Sequence, residues 1–283
     1  MADGKGRSPK ILIADGNTRD RNEAMLAVGG ELGAALYANE IRRMFPHAEL
    51  VTIYPADGDA YLPKGVGLAD FDGMVMGGSG LHAFDQDPEV TRQVDLMRDA
   101  LDAGMPVLGS CWGLQVAAAA TGGTVNQSPR GREVGVARKI SLTAAGRGHA
   151  LYCDKPAVFD SPCIHYDEVT HLPSGSVVLA ENAHSAVQAA VIRKGAGVFW
   201  GVQYHPEFNV PHLANLYRRY KDDMLSQGYF VDEDDLERYC NELSALHQDP
   251  SRLDLRWRLG IDDDILDADI RCREIRNWVE SLG

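Results

Sequence analysis

Val107-Leu108-Gly109-Ser110-Cys111-Trp112-Gly113-Leu114-Gln115 is the stretch that decides the fold. The apolar run Met105 to Leu108, interrupted by Pro106, predicts a short buried strand, and Leu114 to Ala120 predicts a helix directly after it. Between them a cysteine has a glycine two residues away on each side, the pattern of a nucleophile elbow with cysteine in place of serine. A strand that turns straight into a helix needs neighbours without side chains. The turn predicts that Cys111 stands at the carboxyl end of a sheet, with its sulfur near a helix N-terminus. There the helix dipole and free N–H groups favour thiolate over thiol.

The sequence around the elbow alternates strands and helices. Lys10 to Gly16, Glu49 to Tyr54 and Phe71 to Met76 predict strands, the last closing in Gly77-Gly78. Glu31 to Phe45 predicts a helix, and Asp87-Pro88-Glu89 predicts the start of another, with a capping acid and proline at the first helical position. Val90, Val94, Met97 and Leu101 form its apolar stripe, and Gly104 ends it. This order predicts an α/β fold, a doubly wound, mostly parallel sheet with helices on both faces. Sites in such sheets lie beyond the carboxyl ends of the strands. A second strand, Val198 to Tyr204, ends in His205-Pro206-Glu207, so His205 and Cys111 are expected at the same edge. A cysteine nucleophile needs a base and a group that orients the base. His205 fits the first role and Glu207 the second.

On these residues the chain resembles the class I glutamine amidotransferases, the Cys-His-Glu glutaminases, and is similar to the glutaminase domain of GMP synthase. Leu108 to Gln115 and Gly201 to Phe208 carry the resemblance. Two further blocks fit in the family's order: Met74 to Gly80, and His165-Tyr166-Asp167-Glu168-Val169 followed by Leu172-Pro173-Ser174-Gly175. The resemblance implies a flavodoxin-like sheet with an antiparallel extension, for which the short β-like runs between Arg132 and Val202 are suited. It implies an oxyanion hole from the N–H groups of Gly78 and Trp112, and substrate contacts from Gln115, His165 and Tyr166. Ser79-Gly80 departs from the family, which often has proline after the paired glycines. Each residue also has a plainer role open to it. A lone cysteine is most often structural, Gln115 could cap or be solvated, and Trp112, Tyr166 and Tyr204 could be core aromatics rather than an apolar wall beside the leaving group.

Length and composition bound the rest. The chain has 283 residues, 45% hydrophobic and 24% charged, an ordinary globular make-up. A net charge of −13 argues against a nucleic-acid surface. No apolar run is long enough to span a membrane, and residues 1–10 lack the core of a signal peptide, so a cytoplasmic protein is expected. Five cysteines, at 111, 153, 163, 240 and 272, form no C-x-x-C pair, so neither a zinc site nor a disulfide framework is indicated. Residues 1–9 are expected to be a flexible start, 10–208 the glutaminase-like domain and 209–283 a helical C-terminal extension. In the extension, 213–224, Asp232 to His247 and Asp264 to Leu282 predict helices. The acidic tail is most simply a solvated face, but it could cover the site or form a subunit interface.

The activity implied is cysteine-dependent hydrolysis of a γ-glutamyl amide, glutamine or an N-substituted one, through a γ-glutamyl thioester, with no metal or organic cofactor. The chain contains no G-x-x-x-x-G-K-[ST] loop and no ATP-pyrophosphatase loop. A hydrolase acting alone on a small-molecule γ-glutamyl substrate is the first reading. A glutaminase subunit supplying ammonia to a synthetase or ligase partner is the second, and a non-catalytic regulatory protein on the same fold the third. A homo-oligomer is left open.

Overall fold

The computed structural model describes residues 8–58 and 62–283; the expected flexible start falls outside these, apart from Ser8 and Pro9. The first half of the chain runs β1 (Lys10–Ala14), α1 (Arg19–Ala27), α2 (Gly33–Met44), β2 (Glu49–Ile53), β3 (Gly73–Met76), α3 (Pro88–Asp102), β4 (Pro106–Ser110) and α4 (Trp112–Ala120). Then come β5 (Thr124–Gln127), β6 (Glu133–Leu142), α5 (Ala144–Arg147), β7 (Val158–His165), β8 (Asp167–His171), β9 (Val177–Glu181), β10 (Ala189–Lys194) and β11 (Gly197–Val202). Among the described residues, nine strands form one sheet in the order β2-β1-β3-β4-β11-β10-β9-β6-β7, and β5 pairs with β8 in a separate ribbon.

The pairings from β2 to β11 are parallel, and those from β11 to β7 are antiparallel. The two expectations, a parallel sheet around Cys111 and an antiparallel extension after it, therefore meet at β11, beside β4. Strands of the parallel half are covered on both faces, which is why Ile11, Leu12, Ile13, Met74, Val75 and Met76 are all fully buried rather than alternating. β7 carries Pro162 in its interior. As the edge strand it tolerates this, and the Pro162 carbonyl accepts instead from the His205 N–H at 2.8 Å.

The α3 stripe is placed as the spacing predicts, with Val90, Met97 and Leu101 buried and Gly104 at φ +78 closing the helix. Asp87 stands at its N-cap, but its side chain makes no capping hydrogen bond. After β11 the chain continues through α6 (Val210–Arg219), α7 (Lys221–Ser226), α8 (Glu233–Gln248), α9 (Leu253–Leu259), α10 (Asp263–Leu266), α11 (Ala268–Arg271) and α12 (Arg273–Glu280). The single helix expected over 264–282 is thus three short ones. Asp267 breaks the first boundary by turning its carboxylate onto the N–H groups of Asp269 and Ile270, the competition with helix that short acids exert. The tail is no loose appendage. Leu213, Leu216, Leu236, Leu243 and Leu255 build a core with Leu36 and Phe208, while Ile275, Trp278 and Val279 join the core under the sheet.

Candidate active site

Cys111 lies between β4 and α4 at φ 51 and ψ −99, a conformation that non-glycine residues rarely adopt, and its N–H donates to the Val202 carbonyl at 2.7 Å. The flanking glycines are steric requirements. A Cβ on Gly113 would come within 2.5 Å of the Met76 carbonyl oxygen, and one on Gly109 within 2.8 Å of the Phe199 ring. The thiol is buried and donates to the Ile164 carbonyl at 3.6 Å. Burial pushes its pKa up to about 12, and the charge of Glu207 adds to the rise, outweighing the lowering by the Trp112 N–H. The helix N-terminus does favour the thiolate through the Trp112 N–H, as expected, but desolvation outweighs it and the net shift is upward.

His205 follows β11 and is buried. Its Nδ1 lies 2.7 Å from Glu207 Oε1, which leaves Nε2 as the acceptor in the neutral ring. The imidazole stacks on Phe208 with centroids 3.8 Å apart and planes 3° apart. Glu207 is fully buried and also accepts from Ser110 Oγ at 2.9 Å, so a side chain from β4 fixes the acid that follows β11. Behind Phe208, burial and the neighbouring His205 pull His212 down to about 3, so it stays neutral. Gly78 packs directly against His205, since a Cβ there would lie 2.5 Å from its Cε1. The loop after Gly78 owes its shape to polar contacts where the family often has proline: Gly80 N–H donates to Asn17 Oδ1 at 3.2 Å, and Leu81 N–H to Ser79 Oγ at 3.2 Å.

One cavity of about 450 Å³ is lined by Gly78, Cys111, Gln115, His165, Tyr166 and His205. Gln115 spends its amide N–H on the Asp167 carbonyl at 3.0 Å, tying α4 to β8. His165 places Nδ1 3.0 Å from the Asp167 carbonyl and Nε2 2.8 Å from Glu133 Oε2. Two of the aromatics considered for an apolar wall are elsewhere. Trp112 is fully buried with Nε1 donating to Gln93 Oε1 at 2.8 Å, and Tyr204 is buried with its hydroxyl donating to Glu274 at 2.6 Å. Both take the core role that the sequence leaves open beside the apolar wall. Glu133, His165 and His184 bring possible metal-ligating atoms within 4.8 Å of one another. The carboxylate there is already engaged by His165, Asn182 and Gln188.

The sequence reading does not assign several lining residues to the site, although it leaves open that the tail covers it. His82, on the loop after β3, pairs with Asp167 at 2.7 Å. The tail contributes Leu216, Arg219, Tyr220 and Asp223, and Arg132 comes from the turn before β6. Nothing in the spacing of 132, 220 and 223 marks them. They meet only because α6 and α7 fold back over the carboxyl edge of the sheet. Ser110 lay within the elbow motif, but its partner Glu207 is 97 residues away.

The family model for glutamine amidotransferase class-I matches residues 37–216. A γ-glutamyl-L-1-hydroxyisopropylamide hydrolase of Pseudomonas sp. is 30% identical over 278 residues, covering 96% of this chain and 92% of that protein. GMP synthase of Edwardsiella ictaluri is 40% identical over 115 residues, but these make up 39% of this chain and 21% of the synthase. Among solved structures, a glutamine amidotransferase from Thermotoga maritima superposes with a TM-score of 0.65 at 16% identity, covering 98% of this chain and 99% of that one. One from Methylobacillus flagellatus gives 0.60 at 21% identity, covering 98% and 93%. The chain belongs to the class I glutamine amidotransferase family, and within it the chain is a hydrolase. Among the described residues no helix is long and apolar enough to cross a membrane.

Proposed function

We propose that the protein hydrolyses the amide of a small N-substituted γ-glutamylamide to glutamate and an amine, with Cys111 as nucleophile, His205 as acid and base, and Glu207 orienting His205. One observation carries this reading over a glutaminase that passes ammonia on. The helices after His205-Pro206-Glu207 line the same cavity as Cys111, through Leu216, Arg219, Tyr220 and Asp223, so the chain encloses its own site. The likeness to the Pseudomonas γ-glutamylamide hydrolase extends over this tail, which supports the same reading. A cavity of about 450 Å³ has room for a glutamyl group and a small amine.

The resting thiol gives its proton to His205 Nε2 as Sγ attacks the γ-carbonyl carbon. The oxyanion that forms accepts from the N–H groups of Gly78 and Trp112, each worth about 3 kcal/mol in such sites. As the C–N bond breaks, His205 delivers the proton to the leaving amine and a γ-glutamyl thioester remains. Water, giving its proton to His205, attacks the thioester and releases glutamate and the thiol. Glu207 holds the ring with Nδ1–H toward the acid, so Nε2 is the atom that takes and returns the proton.

The similarity to GMP synthase favours a second reading, a glutaminase subunit acting with a separate synthetase. Glutamate release by the isolated protein separates the two, with Cys111→Ala as the blank. Faster turnover of γ-glutamyl isopropylamide than of glutamine supports the hydrolase. Slow turnover of glutamine alone, raised by a partner, supports the subunit. No Cys111-dependent release from either substrate supports a non-catalytic protein.

A further inference from the structure

We propose that Arg132 and Asp223 form the subsite for the free α-amino acid end of the substrate, Arg132 taking the α-carboxylate and Asp223 the α-ammonium; this rests on the γ-glutamyl reading above. Both residues line the cavity that holds Cys111. Arg132 Nη2 donates to Asp223 Oδ2 at 3.0 Å, and its guanidinium lies between two tyrosine faces, 5.8 Å from the centroid of Tyr166 and 5.5 Å from that of Tyr220. Its main chain is held as well, the Arg132 carbonyl accepting from Tyr229 Oη at 2.6 Å. The side chain is only 14% exposed.

The bland reading is a structural ion pair that pins α7 to the domain. One atom argues against it. Arg132 Nε is buried and has no hydrogen-bond partner among the described residues, in a side chain that Asp223 pairs and two tyrosine rings face. A buried guanidinium donor left unmet costs free energy, and here it belongs to a residue lining the reaction cavity. A planar guanidinium matches a carboxylate better than any other side chain does. The surroundings agree: Arg21 and Arg219 line the same cavity, an arginine cluster on a chain whose net charge is −13.

The reach agrees too. The thiol contacts the Ile164 carbonyl, and Tyr166, two residues on, stacks on Arg132. The glutamyl chain from the reacting carbon to its α-carboxylate is four C–C bonds, about 5 Å, so both ends of the substrate fall within the one cavity that Cys111 and Arg132 line. An acceptor for the α-ammonium is then required close to Arg132, and Asp223 is the carboxylate paired with it. Because Asp223 comes from the tail, the helix that roofs the cavity also reads the substrate.

The test uses three isopropylamides with one leaving group: those of L-glutamate through its γ-carboxyl, of glutarate, and of 4-aminobutanoate. The last two lack the α-ammonium and the α-carboxylate respectively. Arg132→Met should lower kcat/KM for the glutamyl compound on the order of 100-fold and leave the 4-aminobutanoyl compound within a few-fold, with Arg132→Lys between them. Asp223→Asn should erode the preference over the glutaryl compound in the same way. Equal losses on all three compounds, or a preference that survives both substitutions, would overturn the proposal. Calorimetric titration with L-glutamate gives a readout free of catalysis. Binding by the wild type that Arg132→Lys and Asp223→Asn weaken, with glutarate and 4-aminobutanoate bound poorly throughout, supports the subsite. Equal binding of all three acids overturns it. If the wild type cleaves no γ-glutamyl amide yet binds glutamate through these residues, the hydrolase reading fails and the subsite stands.

Discussion

Arg271 donates from Nε to the main-chain carbonyl of Pro206 at 3.2 Å, so the C-terminal helices grip the peptide between His205 and Glu207. The same guanidinium reaches the Ile265 carbonyl at 2.9 Å and Glu40 Oε1 at 2.7 Å, and Cys272 Sγ donates to the Pro206 carbonyl at 3.1 Å. Arg271 is buried. Arg271→Met leaves Glu40 without this partner and the carbonyl short of a donor, and should cost about 3 kcal/mol. Urea unfolding measures that loss, and kcat on a γ-glutamyl amide should fall with it. An unchanged unfolding midpoint together with an unchanged kcat would mean the loop holds its own shape.

Gly78→Ala tests the packing of the oxyanion loop. The new Cβ would lie 2.5 Å from His205 Cε1, while Gly78 is absent from the glycines at positive φ, so the backbone accepts alanine and the imidazole has to move. A displaced base beside a displaced oxyanion donor predicts a fall in kcat on the order of 10³-fold. Thermal stability should change little by comparison. Near wild-type kcat in the alanine variant would exclude a close Gly78–His205 arrangement during catalysis.

Glu207 receives both His205 Nδ1 and Ser110 Oγ on one oxygen, Oε1, while Oε2 is buried without a partner among the described residues. Glu207→Gln removes the charge and allows the ring to flip its tautomer, and should lower kcat on the order of 10³-fold with little change in KM. Ser110→Ala leaves the charge in place and loses one hydrogen bond, about 1 kcal/mol, or roughly fivefold in rate. Steady-state kinetics of both variants separates the roles. A Ser110→Ala loss as large as that of Glu207→Gln would show that Ser110 is more than a tether.

The thiols set an alkaline limit. Burial raises Cys111 and Cys272 to about 12 and Cys240 to about 11. An unfolded thiol titrates near 8.5, so above that pH the unfolded chain releases protons that the native chain keeps. The stabilisation is complete below about pH 8.5 and declines as pH rises from there toward the folded values. Urea midpoints at pH 7, 9 and 10 should fall in that order, and Cys111→Ala should flatten the decline. A stability that rises above pH 9 would mean that the folded thiols ionise first.

The site was legible where chemistry and local geometry coincide. Cys111 between Gly109 and Gly113, and His205 two residues from Glu207, each mark a turn at the end of a strand, and both turns face one cavity. Residues that act through tertiary contact were not legible. Arg132 and Asp223 stand 91 positions apart, and Tyr204, open to a core or a cavity role in the sequence, is settled in the core by Glu274, 70 residues later, which takes its hydroxyl. The net upward shift of Cys111 has the same origin, because the local signal is a helix N-terminus and the deciding factor is burial by distant elements. In the tail, amphipathic spacing located α8 well, but 264–282 reads as one helix because periodicity takes no account of side chains such as Asp267 that cap and stop a turn.

The tail's last helix leads to a final prediction. Trp278 is 1% exposed, and a Cβ on Gly73 would meet its ring at 2.9 Å, so the indole packs against the start of β3. Close by, Lys155 Nζ and Glu274 Oε2 form a buried pair at 2.9 Å that joins α12 to the segment before β7. Residues 209–283 can be set apart by sequence, yet this end of them is core for the sheet. Trp278→Ala should therefore cost about 3–5 kcal/mol, and calorimetry of the wild type should show a single transition. A separate low-temperature transition, removed by Trp278→Ala with the main one unshifted, would make the tail an independent unit that merely docks.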